Sequence, residues 1–423
     1  MSPSHEQHAG KPLVTVVTPS YQQGGFIRET IESVMSQDYP HIEMIVVDGG
    51  SRDGTLSILE KSARKYGSRF RYVSEKDKGQ SDAINKGLAM AEGELIGWLN
   101  SDDTYMPKAI SRAVAALTRH PEYGLVYGKA NFIDKNGAVI RPYPVEPDVS
   151  RRRLFDVCTI CQPAVFMRKS TLDRVGRIDE SLQFCMDYEL WVRMSEREKL
   201  GYVDHVLANS RLHDDCKSAT QYFSVGLPEI MRTGVKHYGS VSAHWLAQYI
   251  SHYVQEGAAW LMDQLKQFGV FGDGLLVRES DRFEDGWVPP HWTLRVDNPA
   301  GQEANGILIR GEHRLPRLAG KSTGDLQLTV RVNGRGEHKA RFAGGPFTLH
   351  IPLSGKERAY TVDISSNTSF VPAELKLNDD RRRLSYRAAP AIALTTLEGG
   401  LYRVLDEEPA MAGSWIVKHL RRK

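Results

Sequence analysis

The sequence predicts an α/β protein built on a mostly parallel sheet, followed by a second, antiparallel β-domain. Three observations carry this. Apolar, β-branched runs without alternation recur in the first half at Pro12–Thr18, Ile42–Asp48 and Leu95–Leu99, as in strands buried on both faces. Between them lie segments with apolar residues at three- and four-residue spacing, the period of a helix. From about Gly272 the helical period gives way to short alternating runs with Gly, Asn and Pro between them, the signature of a sandwich of jelly-roll type.

The elements follow in order. Pro12–Thr18 is a strand and Pro19–Gly25 its exit loop. Phe26–Ser36 carries Phe26, Ile27, Ile31, Val34 and Met35 on one helical face. Ile42–Asp48 is a second strand ending on a carboxylate, and Thr55 opens the next helix after the loop Gly49–Gly54. Phe70–Val73 is a third strand, Gly79–Glu92 a helix, the Leu95 run a fourth strand and Leu125–Tyr127 a fifth. This alternation gives right-handed βαβ units. Asn131–Ile140 reads as a hairpin turning at Lys-Asn-Gly, Cys161–Arg168 and Leu207–His213 as further strands, and Cys185–Met194 as a helix. Ser240–Phe268 is a long amphipathic segment, with Trp245, Leu246, Tyr249, Ile250, Tyr253, Trp260, Leu261 and Leu265 on its apolar stripe. It reads as a helix pair packed on the catalytic domain, with a homodimer seam or a peripheral membrane contact as alternatives. The resulting division is residues 1–11 as a disordered lead, 12–225 as the α/β domain, 226–271 as the helical segment and 272–423 as the β-sandwich. Ser414–Lys423 reads as a basic surface helix or a frayed tail.

The bulk numbers bound the function. At 423 residues, 41% hydrophobic and 25% charged, the chain has the profile of a soluble globular protein of two or three domains. A net charge of +3 makes no demand for nucleic acid. No stretch approaches the roughly 18 apolar residues of a spanning helix, and the polar start lacks the apolar core of a signal peptide. Four cysteines are too few for a disulfide framework and fit a reducing, cytoplasmic setting, peripheral to the inner face of a membrane at most. Cys158 and Cys161 form a lone C-x-x-C, which without a second pair does not make a zinc site.

The chemistry gathers where the Leu95 run stops at Asn100-Ser-Asp-Asp103. Ligands of open α/β sheets bind beyond the carboxyl ends of the strands, and carboxylate oxygens there suit Mg²⁺ or Mn²⁺ shared with phosphates. The competing reading is a helix N-cap before Pro107. Polar groups recur at the other strand ends, at Thr18–Tyr21 and Asp48, with Asp187 and Glu189 later. Neither G-x-G-x-x-G nor the Walker G-x-x-x-x-G-K is present, so the pocket holds its pyrophosphate with a metal rather than a helix N-terminus.

Four motifs, in order, resemble the family 2 glycosyltransferases: Val16-Val-Thr-Pro-Ser-Tyr21, Ile45-Val-Val-Asp-Gly-Gly-Ser-Arg-Asp-Gly-Thr55, Gly79-Gln-Ser-Asp-Ala-Ile-Asn-Lys-Gly87 and Trp98-Leu-Asn-Ser-Asp-Asp103. The resemblance spans about residues 12 to 215. It implies the GT-A fold and an inverting transfer of a sugar, of the hexosyltransferase type, from a nucleoside diphosphate sugar, with a UDP-sugar as the expected donor. By matched position it implies that Thr18, Pro19, Tyr21 and Asp48 meet base and ribose, Asp48 accepting from uracil N3. Asp53, Gly79, Gln80, Asp82 and Lys86 are implied donor contacts. Asn100, Ser101 and Asp102 fill the D-x-D slot, with Asn100 where many relatives carry Asp. Asp102, Asp103 and His213 are the implied ligands of Mn²⁺ or Mg²⁺, and Asp187 the implied general base. Glu189 reads instead as a salt-bridge partner of Arg193.

The β-domain carries no catalytic constellation. Its aromatics Trp287, Trp292, Tyr360, Phe370 and Tyr386 read as core, with sugar stacking as the alternative. Phe370-Val-Pro and Asp380–Ser385 resemble, more weakly, β-domains appended to other bacterial polysaccharide glycosyltransferases. The expected protein is therefore a metal-dependent glycosyltransferase of bacterial surface polysaccharide synthesis in the cell envelope, acting on a glycan or polyprenyl-linked glycan acceptor. The competing reading is a catalytically weak or dead GT-A domain serving as a carbohydrate-binding protein. A sugar-1-phosphate nucleotidyltransferase, which shares the sheet, is disfavoured because Pro19-Ser-Tyr-Gln-Gln is no Gly-rich basic loop.

Overall fold

A computed structural model of the chain describes residues 10–214, 216–272, 274–314 and 324–420. The expected lead lies almost wholly outside the described residues. The chain divides into two compact units after Trp245, inside one helix, Ala243–Tyr253.

The first unit is organised by one mixed sheet. Its strands are β1 (Val14–Ser20), β2 (Ile42–Asp48), β3 (Phe70–Ser74), β4 (Leu95–Trp98), β5 (Thr104–Tyr105), β6 (Tyr123–Ile133), β7 (Val139–Pro142), β8 (Val165–Arg168) and β9 (Lys199–Arg211). The order is β3-β2-β1-β4-β8-β6-β9-β5, with β7 a hairpin partner of β6. β3, β2, β1 and β4 run parallel. β8 is antiparallel to both its neighbours, whereas β6 and β9 are parallel. The expected strands and the Asp134–Gly137 turn are present. The two-residue β5 was not foreseen because so short a segment has no periodicity to read.

Burial explains the composition. All seven residues of β1 and all seven of β2 are buried, so both faces select apolar, β-branched side chains. Helix α1 (Ile27–Met35) buries Ile27, Ile31, Val34 and Met35 against Val14, Val16, Met44 and Leu99. α2 (Thr55–Tyr66) buries little more than Thr55, Leu59 and Ser62, while α3 (Gln80–Met90) presses Gly87 onto β1.

Gly97, in the middle of β4, marks a tight spot. A Cβ there would lie 2.5 Å from the Tyr105 hydroxyl and 3.2 Å from the Phe166 ring, two rings that already pack with centroids 5.1 Å apart. Overpacking of that kind costs about 1–3 kcal/mol. Gly97→Ala is therefore expected to lower the urea midpoint at unchanged m-value, and an unaltered midpoint would show that the β4–β5–β8 layer has slack.

In the second unit, two antiparallel sheets enclose a common core. The strands are β10 (Leu276–Glu279), β11 (His291–Asp297), β12 (Ala304–His313), β13 (Leu326–Val332), β14 (Arg335–Phe342), β15 (Gly345–Pro352), β16 (Ala359–Ser366), β17 (Arg387–Ala388) and β18 (Ile392–Thr395). One sheet runs β10-β11-β16-β13-β14 and the other β15-β12-β17, with β18 also on β12. Trp292, Leu294, Val296 and Val362 from the first meet Ile307, Ile309, Leu349 and Ile351 from the second, the two inward faces of a sandwich. Trp292, Tyr360 and Tyr386 are core, so they offer no platform for a sugar ring; the half-buried Trp287 and Phe370 stack edge-on at 5.3 Å. The helix Ala258–Gln267 belongs to this unit, with Asp263 paired to Arg310 and Lys266 to Glu398. The last helices are Thr396–Glu407, started by a capping box of Thr395 and Glu398, and Ala412–Leu420, which buries Ala412 and Ile416. Among the described residues no helix is long and apolar enough to cross a membrane.

Candidate active site

The chain turns from β1 through β2 and β3 on one side to β4 on the other, so the strand order reverses between β1 and β4. Ligands of open α/β sheets bind at such a switch point, beyond the carboxyl ends of the strands. Register lines up what leaves that edge, because Ser20 pairs with Asp48 and Asp48 with Ser74. Asn100 to Asp103 leave β4 alongside.

Asp48 is fully buried. Its carboxylate accepts from Gly50 N (3.1 Å), Ser51 N (2.9 Å), Ser51 Oγ (2.5 Å) and Ser74 Oγ (2.6 Å). Four donors compensate a buried charge, and they bend the Gly49–Ser51 loop. Ser51 Oγ in turn accepts from Gln22 N at 2.7 Å. Asp53 accepts from Gly24 N at 2.8 Å and Thr55 Oγ1 at 2.6 Å, and these bonds hold its pKa below the usual carboxylate value against the opposing pull of burial. The loops after β1 and β2 are thus laced into one wall, from which Tyr21 projects, 61% exposed. Thr18 and Pro19 are buried in β1, and the Thr18 hydroxyl has no protein partner. Asp82 accepts from Lys78 N and pairs with Lys86, which also reaches Glu75 at 2.8 Å. These groups start and tether α3.

The slot after β4 is wired differently. Asn100 Oδ1 accepts from Trp98 Nε1 (3.0 Å) and Gln80 Nε2 (2.9 Å), while Asn100 Nδ2 donates to Gln162 Oε1 (2.9 Å) and, more weakly, Asp103 Oδ2 (3.4 Å). Gln162 Nε2 completes the ring by donating to the Trp98 carbonyl at 2.6 Å. An amide can accept on one side and donate on the other; an ionised carboxylate cannot donate. This accounts for Asn where an Asp would have been expected from the pattern.

Asp102 Oδ2 lies 3.1 Å from His213 Nε2, with the Asp102 side chain 19% and the His213 side chain 10% exposed. A carboxylate oxygen and an imidazole nitrogen converging in this way suit Mn²⁺ or Mg²⁺, with the remaining positions left to phosphate oxygens and water. Asp103 is placed otherwise. It is buried, and its carboxylate accepts from Arg211 N at 2.9 Å and from Asn100, so it does not join that pair. Burial, with the Asp102 charge adding to it, pushes the Asp103 pKa well up. No cluster of three His, Cys, Asp or Glu that could hold a metal occurs among the described residues.

Two groups fix this loop that the sequence reading missed. Thr30 Oγ1 donates to the carbonyls of Ser101 (2.9 Å) and Asp103 (2.8 Å). Arg211 Nε donates to the Asp102 carbonyl at 2.7 Å while its other end pairs with Glu29 at 2.6 Å. Arg211 stands two residues before His213, so one side chain couples both halves of the pair. Gln162 was missed too; its one signal is its place beside the C-x-x-C, whose thiols, like all four cysteines, are free.

Asp187 sits in the first turn of the helix Met186–Ser195. Its Oδ1 accepts from Tyr188 N at 2.8 Å, and it remains partly exposed. Burial nonetheless raises its pKa to about 6, outweighing the hydrogen bonds that lower it. The turn before it is held by Glu229, whose carboxylate accepts from the backbone N–H of Gln183, Phe184 and Cys185 at 2.8–3.0 Å. Glu189 forms the expected pair with Arg193 at 2.8 Å and also meets His237 at 2.9 Å.

The sequence profile of Glycosyl transferase family 2 matches residues 15–176. An uncharacterized glycosyltransferase of Rickettsia typhi, RT0329, is 33% identical over 225 residues, covering 49% of this chain and 67% of that protein. The chondroitin synthase of Escherichia coli is 27% identical over 54% of this chain, which spans only 34% of that longer protein. Among solved structures, S. aureus TarS 1-349 in complex with UDP-GlcNAc matches 60% of this chain at 20% identity with a TM-score of 0.48.

Proposed function

The chain belongs to the family 2 glycosyltransferases, and from that footing we propose that it transfers a sugar with inversion from a UDP-sugar to a glycan acceptor, with a divalent metal at Asp102 and His213. The observation that carries the proposal is the convergence of Asp102 and His213 at 3.1 Å at the sheet's switch point, with Asn100 and Gln80 bonded beside them. Asp102 and His213 would hold Mn²⁺ or Mg²⁺, which when bound supplies positive charge to the diphosphate. Asp103 serves as a brace in this reading, because its oxygens are engaged by Arg211 and Asn100. Asp48 and Asp53 shape the nucleotide wall, and the exposed Tyr21 offers the base a ring.

Asp187 is the general base. A carboxylate accepts the acceptor's hydroxyl proton best when its pKa approaches the working pH, and burial moves Asp187 that way. The acceptor oxygen then attacks the anomeric carbon as the nucleoside diphosphate departs, inverting that centre. Similarity to a chondroitin synthase supports a glycan chain as acceptor and a place in polysaccharide synthesis.

The test is nucleotide release from UDP-, GDP- and dTDP-sugars with Mn²⁺ and with EDTA. Release confined to UDP-sugars and lost in EDTA is expected. Binding of a sugar polymer without release from any donor would establish the carbohydrate-binding alternative instead.

A further inference from the structure

Lys217 lies four residues beyond His213, at the start of the short helix Lys217–Thr220. Its ammonium is half-buried and donates to Gln80 Oε1 at 2.9 Å and to the Gln183 carbonyl at 2.8 Å. Both acceptors are neutral. Among the described residues no carboxylate pairs with this cation, in contrast to Arg211 with Glu29 and Lys86 with Glu75 and Asp82. Burial lowers the pKa of Lys217 and outweighs the distant charge of Glu229, as expected for an ammonium held without a counter-ion. An uncompensated, half-buried charge is costly, and among the described residues its ammonium has no acceptor beyond these two.

Its position supplies the counter-ion. Gln80, which Lys217 holds by the carbonyl end, holds Asn100 by the amide end. Gln183 belongs to the turn that leads into Asp187. Lys217 therefore joins the D-x-D slot to the segment carrying the base.

Charge accounting shows why a second cation is wanted. A nucleoside diphosphate sugar carries one negative charge on each phosphate and gains another as the sugar leaves. A divalent ion on Asp102 and neutral His213 keeps only one net positive charge, and Asn100 leaves the slot without its customary second carboxylate, hence without a strong hold on the metal. We propose that Lys217 is a donor-binding residue whose ammonium contacts the diphosphate and stabilises its departure, sharing that task with the metal. This rests on the donor reading given above.

The experiment is titration calorimetry on the full-length protein with Mn²⁺, using whichever of UDP, GDP and dTDP the wild type binds and the matching nucleoside. Lys217→Gln is expected to weaken the diphosphate roughly 10- to 100-fold, the scale of a charge-assisted hydrogen bond, and to leave the nucleoside unchanged. Lys217→Arg should recover most of the diphosphate affinity, and Lys217→Gln should flatten its salt dependence. Equal weakening of nucleoside and diphosphate would reduce Lys217 to a brace for Gln80, and undiminished diphosphate binding would likewise overturn the proposal. A wild type that binds none of the three diphosphates overturns the donor reading together with this one.

Discussion

Asp187→Asn should transfer sugar about 10² to 10⁴ times more slowly than the wild type, the range a positioned general base contributes, while binding UDP and Mn²⁺ with unchanged affinity. The split follows from geometry. Asp187 lies in the first turn of the helix Met186–Ser195, and its Oδ1 is hydrogen-bonded to Tyr188 N rather than to Asp102 or His213; its assigned partner is the acceptor hydroxyl. The pH profile gives a second readout. With a pKa of about 6, the wild-type rate should climb through that pH and level off above it. Stability provides a third. In the unfolded chain the carboxyl loses its proton near 3.8, whereas in the fold it holds the proton to about 6. The folded state is therefore penalised as pH rises through this window, and above it the penalty reaches up to about 3 kcal/mol. Asp187→Asn should accordingly melt higher than the wild type at pH 8 and alike at pH 4, a gain in stability bought with lost activity. Glu189→Gln should behave in the opposite way, costing stability because Arg193 and His237 lose their buried partner. A slow Glu189→Gln that folds normally, beside an active Asp187→Asn, would move the base by two residues.

What was legible in the sequence depended on how far each signal reached along the chain. β1 and β2 announce themselves because burial on both faces selects apolar and β-branched residues along most of each strand, Glu43 and the strand-end Ser20 and Asp48 excepted. The hairpin at Asn136-Gly137 was equally local, with Gly137 at φ 87° closing the turn. The sandwich could be read from alternation in β13 and β16, but β14 escaped because most of its residues are polar and exposed, which hides the alternation. At the site, Asp102, His213 and Asp187 were read through motif position. The work of Asp103, Arg211, Gln162 and Lys217 was hidden, since it depends on partners 60 to 140 residues away that only the folded sheet brings within hydrogen-bond distance. Asp48, whose strand-end position suggested a ligand contact, takes its hydrogen-bond donors from its own loop and from Ser74 on the next strand.

Asp102→Ala is expected to remove the metal-dependent part of donor binding altogether. Asp102 is the only ionised oxygen donor of the pair, Asn100 contributes no charge, and Asp103 is turned to Arg211 N and Asn100. Without Asp102, His213 remains as a single nitrogen ligand, too little to hold a hard cation that prefers oxygen. The loss should exceed the 10- to 100-fold that removing a supporting hydrogen bond typically costs a metal site. Thermal shift reads it directly. At about 100 times its dissociation constant a ligand stabilises a fold by about 2.7 kcal/mol, so wild-type protein with UDP and Mn²⁺ should melt clearly above protein with UDP and EDTA. In Asp102→Ala the two curves should coincide. The backbone should survive, because the contacts that fix this loop run through the Asp102 carbonyl to Arg211 and the Ser101 and Asp103 carbonyls to Thr30, none of which the substitution removes. A variant that folds and still shows the Mn²⁺-linked rise would place the metal elsewhere on the chain, and with it the diphosphate.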